Sequence, residues 1–114
     1  MVKGKLTLCL DFDGVLHQYS KGWYDGSIYD PPTPGAQEFV TAAMERFDVV
    51  VYSSRAREDP NGITDWLKMY GFPDLEVTAV KPPAFLTIDD RAITFTGLWP
   101  EISELVRFKV WNKL

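Results

Sequence analysis

Three short apolar runs, each ending in residues able to do chemistry, constrain this chain more than any other feature. Leu6-Thr7-Leu8-Cys9-Leu10 leads into Asp11-Phe12-Asp13-Gly14, Val49-Val50-Val51-Tyr52 into Ser53-Ser54-Arg55, and Ala84-Phe85-Leu86-Thr87-Ile88 into Asp89-Asp90. Runs this short and this continuously apolar are what strands covered on both faces look like, and such strands belong to parallel sheets. Residues 76–80 form a weaker run, expected as an edge strand.

Helical patterns fall between the strands. Thr33 can cap a helix with Pro34 at its first position, followed by Phe39, Val40, Ala43, Met44 and Phe47 on one apolar face. A second helix is expected over residues 61–70, with Ile63, Trp66, Leu67 and Tyr70 on one side and Gly71 as its stop. A third is expected from Pro100, carrying Ile102, Leu105 and Val106. Strands alternating with helices predict an α/β fold with a mainly parallel sheet and a site at the carboxyl ends of its strands. The chain has 114 residues, enough for one domain (1–114) and one core. Residues 17–32, rich in Tyr, Trp and Gly and ending in Asp30-Pro31-Pro32, fit neither template. They predict a hairpin or ordered loop that follows the first acidic segment and covers the site like a flap.

The formal charge of −4 supplies no positive field for polyanions, so nonspecific nucleic-acid binding is disfavoured. No stretch reaches the roughly 18 apolar residues of a membrane span. The basic start, Met1 to Lys5, precedes an apolar run too short for a signal peptide. Cys9 is the single cysteine and reads as a buried small hydrophobe in a chain expected in the reducing cytoplasm.

In an extended segment Asp11 and Asp13 project to one side while Phe12 points to the other. Two carboxylates in one small volume suit phosphoryl transfer: one attacks phosphorus and the other, when protonated, donates to the leaving oxygen. Alone, the pair reads more readily as a solvated turn than as chemistry. Asp89 and Asp90 change that, because acids gathered at one site repel unless a cation is bound, and Mg2+ takes such hard oxygen ligands. Asp90 can equally be an ion-pair partner of Arg91. The Ser53 hydroxyl can hold a nonbridging phosphate oxygen, and Lys81 can neutralise the transferring group. His17, the only histidine, reads as a structural or surface residue, and Trp23 and Tyr24 either stack on a base or pack the loop, with packing slightly favoured.

The ordered set Asp11-Phe12-Asp13-Gly14-Val15-Leu16, Ser53 after an apolar strand, Lys81, and Asp89-Asp90 resembles the four motifs of the haloacid dehalogenase superfamily, over most of the chain. The resemblance implies a three-layer α/β/α Rossmann-like domain and phosphate-monoester hydrolysis through an aspartyl-phosphate. It makes Asp11 the nucleophile, Asp13 the general acid and then base, Ser53 a phosphate ligand and Lys81 a charge stabiliser. Asp11, the backbone carbonyl of Asp13, and Asp89 would ligate Mg2+, with Asp90 as metal support. The chain lacks room for the cap domain of larger members. Capless members accept bulky phosphates in open sites or gain a lid as homo-oligomers. Ser53-Ser54-Arg55 also resembles the Ser-Gly-Arg segment in the phosphatase domain of polynucleotide kinase-phosphatases, which implies phosphate contacts from Ser54 and Arg55. The expected partner is therefore a phosphorylated small molecule or nucleic-acid end.

The competing expectation is a receiver-like signalling domain that accepts a phosphoryl group without true turnover. Receivers resemble an order with the acidic pair first and lysine last, whereas here Lys81 precedes Asp89-Asp90. A catalytically silent binding module would have lost one of these residues, and none is missing.

Overall fold

The computed structural model describes residues 4–113; residues 1–3 of the basic start, and residue 114, lie outside them. Four parallel strands form one sheet: β1 (Leu6–Asp11), β2 (Phe47–Tyr52), β3 (Glu76–Thr78) and β4 (Leu86–Ile88), in the order β3-β2-β1-β4. The weakest run becomes β3, an edge strand as its pattern predicts, while the run expected to be covered on both faces at residues 84–88 supplies the other edge, β4, with Phe85 and Leu86 exposed. The chain moves from β1 outward through β2 to β3 and then returns to the other side of β1 at β4. That reversal opens a crevice at the carboxyl ends of β1 and β4, where α/β sheets hold their ligands.

The pairing register of β1 with β2 explains the apolar runs. Leu8, Leu10, Val49 and Val51 face the main core, while Cys9 and Val50 point to the opposite face and are also buried. A strand covered on both faces cannot alternate with polar residues. Helices α1 (Ala36–Ala43) and α2 (Pro60–Met69) pack Ala36, Val40, Ile63, Trp66 and Leu67 into that core. At the end of α2, Gly71 at φ +77° lets its N–H reach the Lys68 carbonyl and the Phe72 N–H reach Leu67. This pair of bonds closes the helix and buries Phe72 beside Leu67.

Three expectations need correction. Helix α1 starts at Ala36, with Gly35 in the left-handed region before it and no side-chain cap. Thr33 is diverted: its hydroxyl donates to the Val15 carbonyl and its N–H to the Leu16 carbonyl, which staples the helix entry to the first acidic loop. Phe39 is consequently 47% exposed, and Phe47 belongs to β2. The third helix, α3 (Ile102–Val106), is a five-residue turn that buries none of its side chains. Among the described residues, no helix is long and apolar enough to cross a membrane.

Candidate active site

Asp11 closes β1, and Asp89 and Asp90 follow β4 directly, so strand pairing alone brings the three acids together. Each offers a carboxylate oxygen lying within 4.8 Å of the others. Burial, reinforced by the charges of Asp89, Asp90 and Asp13 and opposed by Lys81, pushes the Asp11 carboxyl up to about 7. Burial also raises Asp90. Asp90 lies against Gly14, whose φ is +86° and whose missing side chain leaves the space its carboxylate fills. Asp89 accepts from the Arg91 backbone N–H at 2.9 Å and lies 3.7 Å from the Lys81 ammonium. Lys81 itself is half exposed, beside the Tyr52 ring.

A cavity of about 270 Å³ joins these acids to Asp13, Tyr19, Tyr52, Ser53, Ser54 and Arg91. Ser53 directly follows β2, which pairs with β1, and is buried. Its oxygen accepts from the Arg55 N–H at 3.2 Å while its own N–H bonds the Thr78 carbonyl. The hydroxyl proton is what it can offer to an anion. Ser54 is exposed at the rim.

Asp13 and Arg55 are bonded to one another and to the loop of residues 17–32. Both oxygens of the Asp13 carboxylate accept hydrogen bonds: Oδ1 from His17 Nδ1 at 2.8 Å and Oδ2 from Arg55 Nε at 2.8 Å. Arg55, expected to meet a substrate phosphate, has its side chain only 6% exposed. Its Nη1 donates to the Gly26 carbonyl at 2.6 Å and its guanidinium lies 4.6 Å from the centre of the Trp23 ring. Nη2 has no hydrogen-bond partner among the described residues. Stacking explains the placement, since an aromatic face attracts a guanidinium as its donors are used in-plane.

His17 is the functional candidate that sequence reasoning passed over. It is fully buried, with its ring stacked on Phe12 and edge-on to Trp66, Tyr19 and Tyr29. Its spacing of four from Asp13 was the available signal. Tyr19 and Tyr52 on the cavity wall were missed as well; burial, then the neighbouring Asp13 charge, raises the Tyr19 hydroxyl. Residues 17–32 are an ordered loop held by two isolated bridges at its base, Asp13 to His17 and His17 to Pro32. Trp23 and Tyr24 are largely exposed on it, the first under Arg55 and the second against Tyr29 and Lys21.

No protein-family model, curated protein or solved structure matches this chain. Function has to be read from the site itself.

Proposed function

We propose that the chain is a magnesium-dependent phosphohydrolase of the haloacid dehalogenase type, a three-layer α/β/α domain without a cap, acting on a phosphate monoester. The supporting observation is one cavity at the strand ends that holds three mutually repelling carboxylates and a buried serine hydroxyl. Asp11, Asp89 and Asp90 form an all-oxygen donor set whose repulsion a hard dication relieves, so they fit Mg2+. When bound, the ion neutralises negative charge on the phosphate and the carboxylates. The cavity, with Tyr19 and Tyr52 on its wall, is large enough for a phosphoryl group, and a larger substrate would extend beyond it. Nucleotides and phosphorylated nucleic-acid ends are therefore the first substrates to try.

In this reading an Asp11 carboxylate oxygen attacks phosphorus and the ester P–O bond breaks. The departing oxygen takes a proton from Asp13, and Ser53 and Lys81 hold the nonbridging oxygens. Water then gives a proton to Asp13 and attacks the acyl phosphate. Its phosphorus–oxygen bond to Asp11 breaks, returning the carboxylate and releasing inorganic phosphate.

The test is phosphate release from a panel of aryl, sugar, nucleotide and oligonucleotide phosphates with Mg2+ present. Turnover is expected, abolished by chelator and by Asp11→Asn. No turnover across the panel by the wild type overturns the reading. One observation favours a receiver-like acceptor instead: both Asp13 oxygens already accept hydrogen bonds. That alternative predicts one equivalent of phosphoryl group taken up without further product.

A further inference from the structure

We propose that His17 is a positioning residue for Asp13, and that residues 17–32 are the scaffold that fixes it rather than a cover over the substrate. The proposal rests on Asp13 being the proton donor and acceptor of the hydrolysis above.

One hydrogen bond of the His17 ring has a direction that cannot be reversed. His17 Nε2 lies 3.0 Å from the backbone nitrogen of Asp30. A backbone N–H only donates, so Nε2 must supply a lone pair and the ring proton sits on Nδ1. Nδ1–H therefore donates to Asp13 Oδ1 at 2.8 Å. Asp30 is itself immobilised: its carbonyl accepts from the Trp66 indole at 3.0 Å, and its carboxylate takes both the N–H and the hydroxyl of Ser20 at 2.7 Å. A continuous series of bonds thus runs from helix α2 through Asp30 and His17 to the Asp13 carboxylate. His17 also closes the acidic turn through its backbone, with its carbonyl accepting from Gly14 and its N–H donating to Phe12.

The second oxygen is fixed by Arg55, which also reaches the middle of the same loop. Arg55 bonds Asp13 Oδ2 and the Gly26 carbonyl together. A carboxylate held by one donor on each oxygen cannot rotate. It still keeps a second lone pair on each oxygen, and the Asp13 side chain is 19% exposed, at the cavity wall. The loop thereby decides which lone pair faces the substrate and carries the proton. This also answers the objection that Asp13 is fully occupied: the two donors orient it without consuming the position needed for catalysis.

Three substitutions separate positioning from packing. In His17→Asn the amide nitrogen falls near the place of Nδ1, which preserves the donor to Asp13. In His17→Gln the side chain reaches toward Asp30 and abandons Asp13, and His17→Phe fills the ring slot with neither bond. For an alkyl phosphate, single-turnover release of the alcohol is expected to slow on the order of 10²-fold in the Gln and Phe variants. The Asn variant should stay within about tenfold of wild type, with KM little changed in all three. Release of p-nitrophenol, whose oxygen leaves without needing a proton, should fall much less. Equal losses in all three variants, or equal losses for both substrates, would reduce His17 to a packing residue.

Because the chain has one histidine, a long-range ¹H–¹⁵N spectrum of the wild-type protein reports this ring alone. A neutral ring protonated on Nδ1 is expected; a ring protonated on Nε2 overturns the proposal whether or not the variants fold. An inactive wild type would instead overturn the hydrolase reading and the catalytic sense of the positioning, while the tautomer would still be decided by the spectrum.

Discussion

Two aromatic-rich stretches leave the acids of this site, and they are held in opposite ways. Residues 12–32 follow Asp11 and are tied down at nearly every turn. Phe12, His17, Tyr29 and Asp30 exchange hydrogen bonds and ring contacts with the core and with each other. Residues 91–109 follow Asp90 and bury no side chain, although they carry Ile93, Phe95, Leu98, Trp99, Ile102, Leu105, Val106 and Phe108. Phe95 and Trp99 pack on one another, 4.7 Å between ring centres, beside a cleft of about 990 Å³. None of the clustered acids lines it. The stretch returns to the body only where Val110 is buried, Trp111 donates to the Gly14 carbonyl and Asn112 to Gln18. Its projection shows in a radius of gyration of 15.3 Å, against roughly 13 Å for a compact domain of this length.

The difference teaches that aromatic content does not order a loop. What orders residues 12–32 is a set of polar handles that reach across the chain: an imidazole, an indole N–H, a phenol and a guanidinium, each with a fixed partner. The second stretch has such handles only at its far end.

The largest effect expected from a single change comes at the root of the first stretch. Gly14→Ala places a methyl group against the Asp90 carboxylate at a left-handed backbone position and should cost about 2–4 kcal/mol in denaturant unfolding. A loss below about 0.5 kcal/mol would mean that Asp90 moves freely and that the acid cluster is not held from this side.

Next comes the response to pH and metal. The Asp11 carboxyl sits near 7 in the folded chain, well above its unfolded value, so the folded state binds the extra proton between about pH 4 and 7. Stability in chelator should therefore fall as pH rises across that window, by at most about 1.4 kcal/mol per unit, and level off above it. Mg2+ should restore more stability at pH 8 than at pH 5, where protons compete for the same oxygens. Unfolding curves with and without Mg2+ check both signs, and a metal effect independent of pH would remove Asp11 from the ligand set.

Trp66→Phe keeps a ring in the core and deletes the indole N–H that holds the Asp30 carbonyl. A loss of about 1 kcal/mol is expected, together with faster amide exchange at Asp30. Unchanged exchange there would show the first stretch to be held by its base alone.

The smallest effect belongs to the second stretch. Leu98→Ser and Trp99→Ser should change stability by no more than about 0.5 kcal/mol, since both side chains are 80% or more exposed. A loss of 2 kcal/mol or more would break the comparison, because it would mean that these residues are covered in solution.

The sheet and the gathering of acids could be read from the chain because strand signals are local. A run such as Val49 to Tyr52 has the composition of a doubly covered strand wherever it lies, and residues at the ends of neighbouring parallel strands meet whichever loops connect them. The stop at Gly71 was equally legible, since it depends on one glycine and the turn before it. Thr33 was not. Its hydroxyl had a local helix terminus and a distant carbonyl to choose between, and only the folded chain brings Val15 within reach. The same holds for the three exposed apolar residues of α3, whose spacing describes a face but cannot supply a surface to cover it.

From its sequence alone this protein is an α/β chain with carboxylates and a serine at the ends of parallel strands, because side-chain period and strand composition are properties of short segments. Tertiary structure alone decided that His17 and Arg55 bond Asp13, that residues 17–32 are tied to helix α2 and to the first acidic turn, and that residues 91–109 bury no side chain. Hydrogen-bond partners and burial depend on segments far apart in the chain, Arg55 lying 42 residues from the carboxylate it holds, and no local pattern encodes which of them will meet.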